Sequence, residues 1–400
     1  MKKVGSMTND CSGHRCQLPG LQVLRAVACA GVFLTHTLID GLDALGSSAV
    51  TIFFMLSGFV LVYQYLGRHR LVEPSLVANV RFAVHKLWRL YPLHVAMICL
   101  MVVIMRIPPN QLHPEDIAAI PASMLLVQSW VPVRSTFWGT NSVSWFLSDL
   151  LFLYFLFPWI LRGFERLPEL SLRQARRRAM AVITVMLAVE VIFGLLSTCF
   201  PHPVGGETLG FWFMYIFPPA RIPDFMIGCA LGYLFVRTQE SPRESVHDGY
   251  VQSTMMQLFA VVLMMLANLL FEIAHHGKDD WVGYRIMHDG VWYSELLPFT
   301  MTAGLLIWSF AHTQGAMTQM LDSRMMMFLA ALSPYFYLIH RPAMLAVQVV
   351  IAKFDVGILI DSVPDMAIVI AVSLALSWLY SVIIGRPVRW QSFGSVNIRR

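Results

Sequence analysis

The sequence predicts an all-α protein: a polytopic transmembrane helical bundle of about ten spans, with both termini in the cytoplasm. Three observations predict this class. The chain has 400 residues and is 57% hydrophobic and 13% charged, whereas soluble domains are roughly 45–50% apolar and about 25% charged. Apolar runs of about 20 residues recur along most of the chain. Basic residues collect in alternate connections between these runs.

The apolar runs have the length that a helix needs to cross a bilayer, because the hydrocarbon layer is about 30 Å thick and a helix rises about 1.5 Å per residue. Residues 117–131 are apolar but short and contain Pro121. We therefore expect a re-entrant or interfacial helix there rather than a span. The predicted spans are residues 20–40, 48–66, 90–106, 144–162, 179–199, 211–236, 256–274, 294–313, 327–350 and 365–384.

The distribution of basic residues predicts the orientation. With the N-terminus inside, the inner segments hold 21 lysines and arginines, the outer segments hold 5, and 3 lie within spans. One wrong span would invert every later connection and remove this asymmetry. We therefore predict a multi-pass protein of the cytoplasmic (inner) membrane, embedded in the lipid bilayer, with both termini cytoplasmic.

The predicted domain organisation has one folded unit. Residues 1–19 form a cytoplasmic N-terminal tail, residues 20–385 the transmembrane domain, and residues 386–400 a cytoplasmic C-terminal tail. The net charge of +5 reflects the positive-inside pattern, so that we predict no nucleic-acid partner. The sequence has no nucleotide-binding glycine motif, which argues against an ATP-driven pump. No second ligand cluster accompanies the cysteines and histidine of the N-terminal tail, so that we predict no metal site.

Ionisable side chains within an apolar span are costly and are therefore candidate functional groups. The first span contains Arg25 near its cytoplasmic end and His36 eleven residues later, about 16 Å further along a helix. Asp40 follows His36 by one helical turn and lies on the same face, where it can orient the imidazole. In the alternative interpretation, Arg25 snorkels to the inner interface and His36 bonds to the carbonyl group of a neighbouring helix.

Lys86 and Arg89 precede the third span and are three residues apart, so that they share a helix face if the segment is helical. Paired cations at the inner membrane surface can bind phosphate groups, and ordinary positive-inside charge is the alternative explanation. His340 lies in the ninth span, either as a functional group or as a packing contact between helices.

The sixth span contains a second set of polar and small residues. Arg221 and Asp224 are three residues apart and can pair with each other. Gly228 and Gly232 are four apart, a spacing that favours close packing of membrane helices.

Six motifs, in order along the chain, resemble those of the acyltransferase-3 family of integral-membrane O-acyltransferases. The resemblance covers residues 20–385. The motifs are Arg25-x10-His36, TIFFMLSGF at residues 51–59, Lys86-x-x-Arg89 followed by Tyr91 and Pro92, SWFLS at residues 144–148 with Tyr154 and Pro158, PDFMIG at residues 223–228, and Ser333 with YLIH at residues 337–340.

The sequence departs from the family pattern at three positions. Leu150 stands where many members have a glutamate five residues after the tryptophan, and Asp149 comes one position early. Thr51 stands where many members have an aspartate. Lys86 replaces an arginine, which keeps the charge but loses the two-pronged hydrogen-bond geometry.

The resemblance implies an enzyme that moves an acyl group, usually acetyl, from cytoplasmic acyl-CoA to a hydroxyl group rather than an amino group. The acceptor is expected to be a sugar or polysaccharide of the cell envelope. His36 is then the expected general base or, alternatively, the residue that carries the acyl group, with Asp40 or Asp149 to orient it and His340 to assist in acceptor binding or proton transfer. The expected binding residues for acetyl-CoA or another acyl-CoA are Arg25, Lys86 and Arg89.

Two other functions remain open from the sequence. A transporter or flippase also fits ten spans with buried charge, although the sequence shows no inverted repeat. A catalytically silent relative of the family fits the missing glutamate. The sequence specifies neither the acceptor, the acyl length nor the oligomeric state.

Overall fold

The structure is a computed structural model. It describes residues 18–37, 42–68, 73–106, 114–165, 171–197, 199–200, 203–204, 207–240, 249–276, 297–311, 315–355, 357–359, 362–384 and 388.

The described residues are almost entirely helical, which confirms the predicted all-α class. Two strands of two residues, β1 (Pro203–Val204) and β2 (Glu207–Thr208), pair antiparallel, with Pro203 opposite Thr208. The helices are α1 Pro19–Thr35, α2 Asp43–Tyr65, α3 Leu76–Leu87, α4 Tyr91–Arg106, α5 Pro114–Met124, α6 Arg134–Phe137, α7 Trp145–Glu165, α8 Leu172–Ser197, α9 Leu209–Phe211, α10 Ile222–Glu240, α11 Tyr250–His276, α12 Leu297–Ala311, α13 Ala316–Leu321, α14 Arg324–Phe354 and α15 Val363–Ile383.

Each of the ten predicted spans coincides with a helix. Among the described residues, six helices are long and apolar enough to cross a membrane, namely α2, α7, α8, α11, α14 and α15. Helices α3 and α4 meet the same criteria as one segment with a bend of 60°, and α1 and α12 are shorter apolar helices. A multi-pass membrane protein is therefore consistent with the structure, while the count of ten spans and the side of each terminus stay predictions.

The stretch at 117–131 overlaps α5, which begins at Pro114 and has 11 residues. At about 1.5 Å per residue this helix is too short to cross the hydrocarbon layer. The chain continues through a 3-10 turn at Gln128–Trp130 and the short α6 before α7 begins. This part of the chain therefore agrees with the expectation of a helix that does not span.

The sixth span begins later than the apolar pattern predicts. The pattern predicts a helix over residues 211–236, but α10 begins at Ile222. The preceding backbone forms a short π-helix at Trp212–Ile216 and a 3-10 turn at Pro218–Arg221. The two prolines that open the 3-10 turn explain the difference, because proline has no N–H group to donate to a continuous helix.

The backbones of α2 and α10 touch at the centre of the bundle. Gly228 packs on the backbone carbonyl of Met55, and Gly232 packs on the backbone of Phe59. Gly58 of α2 lies equally close to the backbone of α10. A methyl group at any of the three glycines would overlap with the opposite backbone. The close packing predicted from Gly228 and Gly232 is confirmed.

Two further contacts position the candidate site. Helix α1 packs against both α2 and α14, and α15 packs against α14. Helices α1 and α14 lie side by side, and two contacts fix which residues are level with each other. The Cys29 thiol donates to the Ser333 carbonyl, and Phe33 contacts Phe336. The C-terminus of α1 therefore lies beside the middle of α14.

We expect Gly228→Ala to lower the free energy of unfolding by about 1–3 kcal/mol, because the new methyl group overlaps with a backbone carbonyl that cannot rotate away. Gly163→Ala in α7 is the matched control, since nothing lies within 4 Å of the methyl position there. Denaturant unfolding of the detergent-solubilised protein measures both changes. A stability of Gly228→Ala equal to that of the control would contradict the backbone contact.

Candidate active site

Two histidines from different helices face each other where the C-terminus of α1 meets the middle of α14. His36 follows the last residue of α1, and His340 lies in the middle of α14. Their ring centroids are 5.2 Å apart, and the ring planes meet at 75°. His36 is partly exposed, whereas His340 is buried. We call these two residues the histidine pair.

Backbone hydrogen bonds identify the nitrogen that carries the proton in each neutral ring. His36 Nδ1 is 2.6 Å from the carbonyl oxygen of Val32, and His340 Nδ1 is 3.2 Å from that of Phe336. A carbonyl oxygen only accepts, so each Nδ1 is the donor and each Nε2 keeps its lone pair. Among the described residues, His340 Nε2 has no hydrogen-bond partner. An imidazole with a free Nε2 lone pair can act as a general base.

Aromatic rings and one cation surround the histidine pair. Phe336 stacks on His340 with 5.8 Å between centroids, and Phe33 contacts His340 edge-on at 6.1 Å. Arg341 lies close enough to both histidines for its charge to interact with them. The sequence alone gives Arg341 no role, because helical spacing does not show which residues of other helices it approaches.

The carboxylates expected to orient His36 have different outcomes. Asp40 lies outside the described residues. Asp149 is buried in α7, close to the Ser129 hydroxyl and within electrostatic range of Arg221. His36 Nδ1 already bonds to a carbonyl of its own helix. The role of a carboxylate in orienting the ring therefore stays a prediction.

Arg221 forms a buried charged network with residues of four helices. Its Nη2 is 2.8 Å from Asp224 Oδ2, which confirms the predicted pair, and 3.3 Å from the Thr51 hydroxyl. The Thr300 hydroxyl lies 3.0 Å from Asp224 Oδ1 and 2.7 Å from Glu190 Oε1. The sequence analysis missed Glu190, whose helix α8 is mostly exposed on its other faces.

Two aromatic rings pack against the Arg221 guanidinium. Its central carbon lies 4.9 Å from the centroid of Phe54 and 5.7 Å from that of Tyr215. Trp145, the tryptophan of the SWFLS motif, contacts Phe54 and Tyr215 in turn. The motifs of α2, α7 and α10 therefore meet around one buried arginine.

Lys86 lies near the end of α2 that is remote from the histidine pair. Its ammonium is 4.8 Å from the ring centroid of Tyr65, the last residue of α2. Because α2 has 23 residues, this position is roughly 30 Å along the bundle from the histidine pair. Arg89 lies in the turn between α3 and α4, since α3 ends at Leu87. Arg89 therefore lies just beyond α3, so the condition for a shared helix face is not met there, and phosphate binding by the two cations stays a prediction.

The bend between α3 and α4 has a chemical cause in Pro92. Proline cannot donate the N–H that would continue α3 into α4. Arg89 is exposed in this turn, and its carbonyl accepts a 2.8 Å hydrogen bond from the Tyr380 hydroxyl.

Arg25 lies between Lys86 and the histidine pair along the bundle, about 16 Å from His36 along α1. Its charge interacts with the hydroxyl of Tyr154 on α7, and that hydroxyl also bonds to Ser57 of α2. The guanidinium therefore faces other helices of the bundle, an arrangement that differs from simple snorkelling to the interface.

Residues 123–149, which lead into α7 and include its first residues, contain buried polar atoms that lack partners among the described residues. We call residues 123–149 the polar cap. Buried polar groups normally have hydrogen-bond partners, so such atoms are candidates for contact with ordered water or a polar ligand. In the part of the chain that the structure describes, the buried atoms of the polar cap without a partner include Ser123 Oγ, Gln128 Oε1, Thr140 Oγ1, Asn141 Oδ1 and Ser148 Oγ.

Comparison with known proteins agrees with this arrangement. The profile of one family, described as an acyltransferase domain, matches residues 18–382. The chain belongs to the acyltransferase-3 family. The match confirms the resemblance drawn from the six motifs, and it includes the histidine pair, the Arg221 network and the polar cap of this acyltransferase-3 chain.

A curated relative supports the same assignment. Acyltransferase MdmB of Streptomyces mycarofaciens is 28% identical over 242 residues, which cover 56% of this chain and 58% of the relative. The acyltransferase-3 chain thus spans a little over half the length of that relative. No solved structure matches this chain.

We expect Arg221→Met to destabilise the protein by about 3–5 kcal/mol, because it leaves buried Asp224 and Glu190 without a cation. Arg237→Met is the matched control: Arg237 pairs with Glu240 on the same helix, also three residues apart and at 2.8 Å, but near the surface. The control should cost no more than about 1 kcal/mol. Denaturant unfolding in detergent measures both, and equal losses would contradict a dominant role for the buried network.

Proposed function

We propose that the protein is a membrane O-acyltransferase that moves an acyl group, in the first instance acetyl, from cytoplasmic acyl-CoA to a hydroxyl of a sugar-containing acceptor at the outer face. The histidine pair is the observation that carries this proposal. The centroids of the two imidazole rings are 5.2 Å apart, and Nδ1 of each ring donates a hydrogen bond to a backbone carbonyl. The Nε2 atoms are the available bases, and family membership supplies the reaction class.

The proton of the acceptor hydroxyl goes to Nε2 of His36, the partly exposed member of the pair. The acceptor oxygen then attacks the thioester carbonyl carbon, and a C–O bond forms while the carbonyl oxygen gains negative charge. Collapse of this intermediate breaks the C–S bond, and the imidazolium returns its proton to the departing thiolate. The products are an ester and free coenzyme A.

Arg341 is suited to stabilise the developing oxyanion. Its charge interacts with both histidines, and a fixed cation in a site of low dielectric favours a negatively charged intermediate. The ring of His340 lies 5.2 Å from that of His36, and its Nε2 has no hydrogen-bond partner among the described residues. From there it can accept a proton or a hydrogen bond from the acceptor.

The donor extends from the remote end of α2 toward the histidine pair. Lys86 and Arg89 are proposed to hold its phosphates, because cations form strong hydrogen bonds with phosphate oxygens. Arg25, about 16 Å from His36 along α1, is proposed to lie near the donor entrance and to favour the anionic end of the donor. Two substrates held in a site that excludes water gain proximity and lose fewer acyl groups to hydrolysis.

A polyhydroxylated acceptor is consistent with the polar cap. Its buried donors and acceptors without partners suit a molecule with many hydroxyl groups better than an apolar one. The acceptor class is therefore proposed as a sugar or polysaccharide of the cell envelope. The cytoplasmic membrane with both termini inside is the proposed setting, supported by the asymmetry of basic residues.

We expect His36→Gln to lower release of coenzyme A thiol from acetyl-CoA by about 10²–10⁴-fold, because the general base is lost. Membranes that contain the protein are assayed with and without a cell-envelope glycan extract. His85→Gln, compared at saturating acetyl-CoA, is the control: His85 is exposed on α3, toward the end of the bundle remote from the histidine pair. It should keep its activity.

Binding of acetyl-CoA to the same membranes is measured beside thiol release. Three outcomes of these two measurements contradict parts of the proposal. Equal activity of His36→Gln and the unchanged protein would move the base to another residue, with His340→Gln as the next variant. Acetyl-CoA binding without turnover in any extract would favour a catalytically silent relative. Failure to bind acetyl-CoA would favour a transporter or flippase.

We expect Lys86→Gln to raise KM for acetyl-CoA roughly tenfold, because one charge-assisted hydrogen bond to phosphate is lost. The value of kcat should change little, since Lys86 lies roughly 30 Å from the histidine pair. Arg177→Gln, which removes an exposed cation of α8, is the control for net charge. Equal KM values for the two variants would place the donor phosphates elsewhere.

A further inference from the structure

Helix α14, which carries His340, contains two prolines, Pro334 and Pro342. A proline within a helix has no N–H, so the carbonyl four residues earlier loses its helical donor. The two carbonyls affected in this way are those of Ala330 and Leu338. In an apolar interior, such carbonyls need another donor.

The structure supplies the two replacement donors from different places. The Ala330 carbonyl accepts a 2.9 Å hydrogen bond from the hydroxyl of Ser333, which belongs to the same helix. The Leu338 carbonyl accepts a 3.0 Å hydrogen bond from Nδ2 of Asn141, which lies 197 positions earlier in the sequence. The second replacement therefore ties the polar cap to α14.

The orientation of the Asn141 amide follows from its partner. A carbonyl oxygen only accepts, so the nitrogen end of the amide must face Leu338. Asn141 is fully buried, in the turn that precedes α7. Gly139, two residues earlier, has φ +57°, a left-handed conformation that glycine adopts without steric cost and that turns the chain toward α14.

His340 lies between the Leu338 carbonyl and Pro342, in the one turn of α14 that depends on this external donor. A proline ring also crowds the carbonyl four residues earlier and bends the helix there. Without Asn141, this turn would have a buried carbonyl with no helical donor and freedom to change its bend. The ring of His340 would move with it relative to His36.

We propose that Asn141 is a positioning residue for His340: its side-chain amide takes the place of the backbone donor that Pro342 removes, and it holds the turn of α14 that carries the imidazole. The inference rests on the proposed function for the role of His340 in the reaction. The link between Asn141 and the proline is independent of that role.

A double-mutant cycle tests the proposal. Pro342→Ala restores an N–H that can donate to the Leu338 carbonyl, as in an uninterrupted helix. Asn141→Ala should lower kcat roughly 10- to 100-fold when residue 342 is proline, the scale expected for a displaced catalytic group. When residue 342 is alanine, the same change should lower kcat by no more than about twofold. KM for acetyl-CoA should stay constant, since the proposed phosphate site is remote.

Asn79 offers a matched control. Asn79 is also fully buried, and its Nδ2 donates at 2.8 Å to the Phe155 carbonyl of α7. That carbonyl precedes Trp159 by four residues, so it keeps a backbone donor in its own helix. Asn79→Ala should lower the melting midpoint but leave kcat unchanged, and Pro342→Ala should not alter its effect.

Both kcat and the melting midpoint in detergent are measured for all variants. If Asn141→Ala does not yield folded protein, Asn141→Ser retains a hydroxyl donor and should show a smaller loss with the same dependence on residue 342. Equal losses of kcat from the asparagine change in both backgrounds would overturn the proposal.

The failure of the proposed function gives a different result. If His340→Gln keeps full activity while the Asn141 and Pro342 changes remain coupled in the melting midpoint, the hydrogen bond stabilises α14 but positions no catalytic group. This outcome overturns the positioning role and leaves the hydrogen bond itself in place.

Discussion

The whole architecture depends on one constraint, the need of every backbone N–H and C=O group for a partner where water is absent. Continuous helices meet this need by themselves, which is why long apolar helices dominate the described chain. The interruptions are the informative places, because each must find its donors and acceptors elsewhere. They occur at the α3–α4 bend, in the polar cap, before α10 and at Pro342.

Two of these interruptions lie next to buried ionisable side chains. The irregular turns before α10 place Arg221 at the start of that helix, where its guanidinium meets Asp224 and the Thr51 hydroxyl. The turn before Pro342 carries His340. Such breaks give up regular hydrogen bonds, and in return they allow side chains and backbone groups to point into the interior of the bundle.

The glycine contact and the buried charges connect several helices at the centre of the bundle. The α2–α10 glycine contact brings the two backbones together, and the Arg221 network adds links to α8 and α12 through Glu190 and Thr300. A buried ion pair adds little net stability compared with apolar packing, but the loss of one partner is costly. The arrangement therefore favours one relative position of these helices, with Trp145 and Asp149 of α7 beside it.

Sequence reasoning was most successful where the signal is local. Apolar length predicted the helices, the three-residue spacing predicted the Arg221–Asp224 pair, and the four-residue glycine spacing predicted the close packing of α10. It was less successful at helix ends. The helix of the sixth span begins after its prolines, and α3 ends at Leu87, before Arg89. Hydrophobic runs do not locate an end that proline chemistry decides.

The sequence by itself determined the membrane class, the family and the candidate histidines, because apolar runs, basic asymmetry and motif order are properties of the chain alone. Only the tertiary structure decided that His36 and His340 meet, that Arg341 stands beside them, and that Asn141 serves a carbonyl 197 positions away. Helical periodicity specifies which residues share a face, but it does not specify which other helix that face contacts. That choice depends on how the helices pack, which is set by steric fit and by the need to satisfy each buried polar group.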